Sequence, residues 1–360
     1  VNIKKQFILL LLLNSIVITS CNKKEKEREQ AEADFKLLKK SVLSDLSGNV
    51  IYATYNDLEL KSQNLYNSLA AFNNSNSETD LTASRNAWKD VRLAWEQSEG
   101  FLFGPVSIDN IDPRVDTWPI DFARIDSVLN TSEVLTESYV NNLEEALKGF
   151  HPLEFILWGS NGNKAATNFT SREKEFMMAL ATNLKNLCSN VKNAWIPGTS
   201  NSYHTHLSNA GNGSIIYENE RAAFEEIIDA LIGICDEVAN GKIAEPYNTQ
   251  DASLEESPFA KNSITDFKNN MISVQNIYQG KYSNDGKGIE DLLKDKNLSM
   301  DLELKAKINA SIQSLENITV PFGEAIITQR TQVQKSIDAI NDLKSYLEVK
   351  VKPYLQSIMN

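Results

Sequence analysis

Apolar side chains recur at intervals of three and four along nearly the whole of this 360-residue chain, and stretches that alternate with a period of two are scarce. The recurrence runs through residues 35–46, 58–72, 81–101, 134–150, 173–195, 215–238, 263–278, 302–315 and 325–354. Each segment can bury one stripe and leave the other face wet, which is the pattern of an amphipathic helix. Asn, Ser, Gly and Pro crowd the stretches between them, as in NNSNSET, GSNGNKAATN and QGKYSNDGKG. The fold expected is all-α. The longest break, PGTSNSYHTHLSNAGNGS, leaves about four helical segments on either side, so two helical-bundle halves are expected, 35–197 and 198–360.

Before the first of these segments lies a different kind of sequence. Residues 1–20, VNIKKQFILLLLLNSIVITS, set Lys4 and Lys5 ahead of an apolar run too short to span a bilayer comfortably, the form of a signal peptide. Ile18-Thr19-Ser20-Cys21 resembles the bacterial lipobox, which implies lipidation of Cys21 and a membrane tie through that lipid. The charged run that follows, 21–34, has no β-branched or aromatic residue and is expected to be a flexible tether. The expected location is the outer membrane, on its periplasmic side or at the cell surface.

Formal charge over the full chain is −12, and loss of Lys4 and Lys5 with the signal would take it to −14. Such a surface repels nucleic acid. It suits cation collection, and it suits plain solubility equally well. With Cys21 lipidated, Cys188 and Cys235 remain. Two buried thiols or one disulfide are both open, and a cysteine-rich zinc site is excluded by count.

Only three histidines occur, and one stands in GFHPLEFILWG, residues 149–159. Pro152 cannot continue a regular helix from 134, so a helix is expected to end near Gly149 and a new one to begin with Pro152 in its first turn. His151 then falls at or near the N-cap and Glu154 at the third position, on one face. Glu154 there would serve as the acidic half of a capping box. His151 is a poor cap in an apolar setting, and a buried imidazole needs a partner. An imidazole beside a carboxylate is half of a site for iron or zinc.

Further ligands are expected from RNAWKDVRLAWEQSEGFLFGP, where Trp88, Arg92, Trp95 and Glu99 recur at helical spacing and Glu96 precedes Glu99 by three. A core stripe of tryptophans with a salt-bridged flank is the plainer reading, and facing acids from separate helices are the way bundles hold metals. Asp109, Asp112, Asp116 and Asp121, in the segment between, read mainly as turn and cap residues, with Asp116 and Asp121 kept as groups that could orient a ligand. His204 and His206 read as a solvated loop pair.

Taken together, W…R..WE.SE.F.FGP, D..VDTWPID, GFHPLEFILWG and ESPFAKNSITDFKNNMISVQNIYQG resemble the imelysin family of exported bacterial lipoproteins over about residues 86–280. The most specific piece is G-x-H-x-x-E at Gly149, His151 and Glu154. The resemblance implies two related bundles, pseudo-symmetric, with that motif in a pocket between them and a role in iron uptake alongside other uptake proteins. It also implies that SPFAKNS, with Ser257, Phe259 and Asn262, borders the pocket. Trp95-Glu96-Gln97-Ser98-Glu99 is similar to the Y-E-x-x-E helix of periplasmic ferrous-iron importer components, with Trp for Tyr.

The reading is therefore an iron-binding, lipid-anchored protein with His151, Glu154, Glu99 and Glu96 as ligands and Arg92, Trp95, Asp116, Asp121, Gly149, Ser257, Phe259 and Asn262 around them. Iron is the expected ion, with zinc second. The runner-up is a zinc-dependent metallopeptidase, disfavoured because H-E-x-x-H is absent and His151 has no second histidine on its face. A third reading is a binding or scaffold lipoprotein without metal, in which the motif only caps a helix.

Overall fold

The computed structural model describes residues 3–359, with side chains from residue 23 onward; the expected signal segment 1–20 and lipidation site Cys21 lie outside the described side chains. Among the described residues every regular element is helical, as the spacing of apolar residues requires. Among residues 23–359 no helix is long and apolar enough to cross a membrane.

The helices that frame the site are α1 (Ile3–Asp45), α2 (Ala53–Ser75), α3 (Glu78–Glu96), α4 (Asp112–Asp116), α5 (Phe150–Trp158), α6 (Ser171–Ala194), α7 (Glu220–Asp236), α8 (Ser263–Gln279), α9 (Leu298–Glu316) and α10 (Arg330–Tyr346). Helix α2 packs on α3 and α6 in the first half, and α10 packs on α9 and α7 in the second. One connected apolar core runs from Phe35 to Met359 and crosses the expected boundary at 197/198. The halves meet where α8 lies along α3 and along the turn Glu99–Phe101. Gly100 makes that contact close: a Cβ there would fall 2.5 Å from Ser273 Oγ on α8.

Several expected boundaries move. The charged run 21–34 is not a loose tether but part of α1, built from good helix formers with Lys23–Glu27 and Arg28–Glu32 paired one turn apart. The segment 81–101 stops being α-helical at Glu96, where Ser98 Oγ turns back to donate to Trp95 O (2.6 Å) and a 3-10 turn follows. The segment 134–150 breaks after a short helix, Glu137–Asn141, because its carbonyls find other donors: Lys148 Nζ reaches Asn141 O and Leu143 O. The long loop 197–214 contains a helix, Tyr203–Ser208, capped by Ser202, and His206 is buried in it rather than solvated. His204, half-buried, has its pKa lowered by burial. Cys188 and Cys235 are both free and buried, each thiol pushed up to about 12 by loss of solvent.

Beyond α7 the chain passes through a π-helical turn, Glu237–Ile243. Such a turn carries an extra residue per repeat and re-aims its side chains. Here it points Lys242 inward.

Candidate metal centre between the two halves

The site grows from the buried face of α3. Trp88, Arg92, Trp95 and Glu96 are all buried there, as their spacing demands. Trp88 Nε1 donates to Phe150 O at the start of α5 (3.1 Å), and Trp95 Nε1 donates to Asp116 Oδ2 at the end of α4 (2.7 Å). These two indoles tie α3 to the elements that carry His151 and Asp116.

Gly149 sets the distance between those elements. Its φ of +87° is left-handed, and a Cβ at that position would lie 2.3 Å from Val115 O and 2.6 Å from Val115 C. Only glycine allows the chain to enter α5 with its backbone against Val115. Asp116 is thereby delivered beside His151. The helix starts earlier than expected: Gly149 is the cap, His151 occupies the second position, and Glu154 makes no capping box.

His151 is fully buried, and its two ring nitrogens face different groups. Nδ1 lies 3.4 Å from Glu154 Oε2, while Glu154 Oε1 accepts the Ala260 N–H (2.7 Å). Nε2 lies 3.1 Å from Asp116 Oδ1 and 3.6 Å from Glu256 Oε1, yet meets neither in hydrogen-bond geometry. Glu154 is thus the partner that orients the ring, and the ligand-like groups around Nε2 are Asp116 and Glu256. One donor atom from each of Asp116, His151 and Glu256 falls within 4.8 Å of the others, and so does a second set, Glu96, Glu99 and Asp116. Asp116 belongs to both.

Two basic side chains thread this acid cluster. Arg92 pairs with Glu96 and Asp116, reaches Glu256 at 3.2 Å and has Nε 3.7 Å from Asp266 Oδ1. Lys242 Nζ sits 2.9 Å from Glu99, 3.5 Å from Glu256 and 3.9 Å from Glu96. Asn270 Nδ2 donates to Glu96 (2.6 Å) and Glu99 (2.8 Å). Ser257 Oγ and Asn262 Nδ2 both donate to Asp266, each at 2.7 Å, so these two pocket residues act by fixing the acid that faces Arg92. Phe259 packs on Trp118, whose ring lies 5.1 Å from His151. A cavity of about 410 Å³ opens against Glu99, Asp112, Asp116, Trp118, Lys242 and Glu256.

The charges do not balance. Glu96, Glu99, Asp112, Asp116, Glu154, Glu256 and Asp266 are seven carboxyls against the permanent charges of Arg92 and Lys242. Burying that deficit in low dielectric is costly, so protons fill it. Burial pushes Glu96 up to about 8 against the pull of Arg92 and Lys242, and pushes Glu99 well above its usual range, with Glu96 adding to the rise. Burial also lifts Asp112 to about 6. Asp116 and Glu256 go the other way despite burial. Arg92 and His151 hold Asp116 well below the carboxylate range, and Lys242 and His151 bring Glu256 to about 2. Burial opposes charge on His151, but Asp116, Glu154 and Glu256 outweigh it and raise its pKa well above the usual value. The pair nearest Nε2 is therefore ionised, Glu96 and Glu99 hold their protons, and His151 is an imidazolium whose Nε2 proton an incoming metal ion would displace.

Of the expected site residues, His151, Glu154, Glu99, Glu96, Arg92, Trp95 and Asp116 converge here. Asp121 does not: it accepts from Arg124 N (3.0 Å) and caps the helix Phe122–Asn130. Glu256, Lys242, Asp266 and Asn270 were not foreseen. Glu256, Asp266 and Asn270 all fall within the family-like segment ESPFAKNSITDFKNNMISVQNIYQG, which was the signal for them; Lys242 had none. The histidine pair His204 and His206 joins no such cluster among the described residues.

The imelysin sequence profile, also described as peptidase family M75, matches residues 51–348, most of the chain and all of this site. The chain belongs to the imelysin family. Among its relatives is iron-regulated protein A of Synechococcus elongatus, 27% identical over 329 residues that cover 89% of this chain and 88% of that one. The fold is similar to a crystal structure described as that of a candidate iron-regulated protein A precursor from Parabacteroides distasonis. That match has a TM-score of 0.80 at 25% identity and covers 90% of this chain and 95% of the other. An imelysin-like protein from Psychrobacter arcticum shares the fold at a TM-score of 0.73 and 14% identity, over 88% and 95% of the two chains. The expected family and all-α bundle architecture are thus both found.

Proposed function

We propose that this imelysin-family protein captures a first-row transition metal ion, iron foremost, in the pocket between its halves. The observation that carries the reading is His151 Nε2, a fully buried nitrogen without a hydrogen-bond partner, flanked by the ionised Asp116 and Glu256. Once the Nε2 proton is displaced, one imidazole and two carboxylates form a borderline-to-hard donor set suited to ferrous iron and, next, to zinc. Glu154 on Nδ1 fixes the ring's orientation, as the outer partner of a metal-bound histidine does. The iron-regulated names of two relatives support iron as the cargo. Tied to the outer membrane through lipid on Cys21, such a protein would work alongside other iron-uptake components.

Capture is favoured over zinc-dependent peptide hydrolysis because Glu154, the acid that a helix-borne motif would offer as base, is turned to the far side of the ring and held by the Ala260 N–H. Calorimetric titration with Fe²⁺ under anaerobic conditions and with Zn²⁺ tests the reading. The native chain is expected to bind with a heat that His151→Ala removes. Equal or negligible heats for both chains would refute it.

A further inference from the structure

The geometry points to Lys242 as a tethered surrogate cation: its ammonium fills the acid nest of Glu96, Glu99 and Glu256 and must withdraw for an incoming metal ion to use that nest. This inference rests on the metal reading of the same pocket and adds a moving part to it.

The lysine's surroundings are those of a bound ion. Nζ lies within 4 Å of carboxylate oxygens from Glu99, Glu256, Glu237 and Glu96. Three of those acids are buried, and Asn270 holds two of them in place from behind. A lysine ammonium is a compact point charge on a flexible four-carbon stem, so it can leave without moving the backbone, whereas the planar, packed guanidinium of Arg92 cannot. Arg92 is fully enclosed; Lys242 lines the open cavity and keeps a tenth of its side chain in solvent. A landing place already exists. Glu237, half-exposed and on the same π-helical turn, is 3.5 Å away at the mouth.

The nest adjoins the His151 group directly. Glu256 Oε1 is 3.6 Å from His151 Nε2 and 3.5 Å from Lys242 Nζ, so one carboxylate serves both. While the ammonium is seated, Glu256 is shared with it and its electron density is drawn away from a metal at Nε2. Departure of Lys242 frees Glu256 for that metal and leaves Glu99 and Glu96 able to complete its coordination or to hold a second ion. Like charges in so small a space exclude each other, so seated lysine and fully coordinated metal are alternatives.

Calorimetric titration of the full chain with Zn²⁺, native against Lys242→Met, reads the competition. Methionine keeps the length and apolar stem without the charge. Binding at least tenfold tighter, or a rise from one ion to two, is the expected result. Affinity and stoichiometry within twofold of the native chain would overturn the inference while leaving the metal reading intact. Heat from Lys242→Met alone would uphold the surrogate role and overturn metal capture by the native chain; no heat from either would overturn both. Because the variant loses a cation from an acid cluster and could fold poorly, amine acylation of the native protein, read by peptide mass spectrometry, gives a second measurement. Zn²⁺ is expected to raise Lys242 labelling severalfold relative to the exposed Lys281; unchanged labelling in a chain that binds Zn²⁺ would overturn the inference.

Discussion

Replacing Gly149 with alanine should damage the protein twice over, and the two effects can be separated. At φ +87° and ψ −153° the backbone lies in a region that glycine alone enters freely, and an L-residue there costs about 1–3 kcal/mol. The added methyl would also sit 2.3 Å from Val115 O and 2.6 Å from Val115 C, both backbone atoms that cannot rotate away. Restoring ordinary contact requires α4 and the start of α5 to part by roughly 1 Å, an overpacking strain of about 1–3 kcal/mol. Gly198→Ala is the control. Its φ is +80°, and nothing lies within 4 Å of the new Cβ, so it carries the conformational term alone. Urea unfolding should therefore show Gly149→Ala less stable than Gly198→Ala by about 1–3 kcal/mol. Asp116 follows Val115, so the same displacement pulls a carboxylate away from His151 Nε2, and Zn²⁺ affinity should fall at least tenfold in Gly149→Ala alone. Equal stability loss in the two variants, with affinity unchanged in both, would refute the claim that this glycine sets the spacing of the site.

Glu154→Gln keeps an oxygen for the Ala260 N–H but removes the charge facing His151 Nδ1; metal affinity measured by calorimetry should drop about 10- to 100-fold. The pH dependence follows from Glu96, raised by burial from 4.5 to about 8. A group that holds its proton more tightly when folded stabilises fully below its unfolded pKa, and that contribution is lost as pH climbs through the folded value. The melting temperature of the metal-free chain should accordingly fall from about pH 4.5 to about pH 8, and Glu96→Gln should flatten the fall; a melting temperature that rises over that range would contradict the assignment. Cys188 and Cys235 should resist a thiol reagent in the native state and react together on unfolding, with reductant leaving the melting temperature unchanged.

What could be read from the sequence was whatever is local. Spacing of three and four placed Arg92, Trp95 and Glu96 on one buried face, and the scarcity of histidine drew attention to His151. Two limits follow from the physics of the chain. An imidazole has two nitrogens, and helical spacing alone does not say which one a neighbour three residues on will meet; Glu154 met Nδ1 and became a support rather than a group facing Nε2. Contacts between distant segments leave no periodic trace. Glu256 lies 164 positions from Arg92 and 105 from His151, and Lys242 enters only because a π-helical turn redirects it. Asp121 shows the reverse error: an acid near the right segment that spends its oxygens on a helix end. The helix breaks at Ser98 and Lys148 were hidden for a related reason, since side chains supplied hydrogen bonds that apolar spacing does not register.

Anomalous diffraction at the zinc edge, from crystals exposed to Zn²⁺, tests the central claim most directly. A peak about 2.0–2.1 Å from His151 Nε2, with carboxylate oxygens of Asp116 and Glu256 in its coordination shell and Glu154 outside it, is the result predicted. A peak bonded to Nδ1 and Glu154, or no peak within bonding distance of His151, would contradict it.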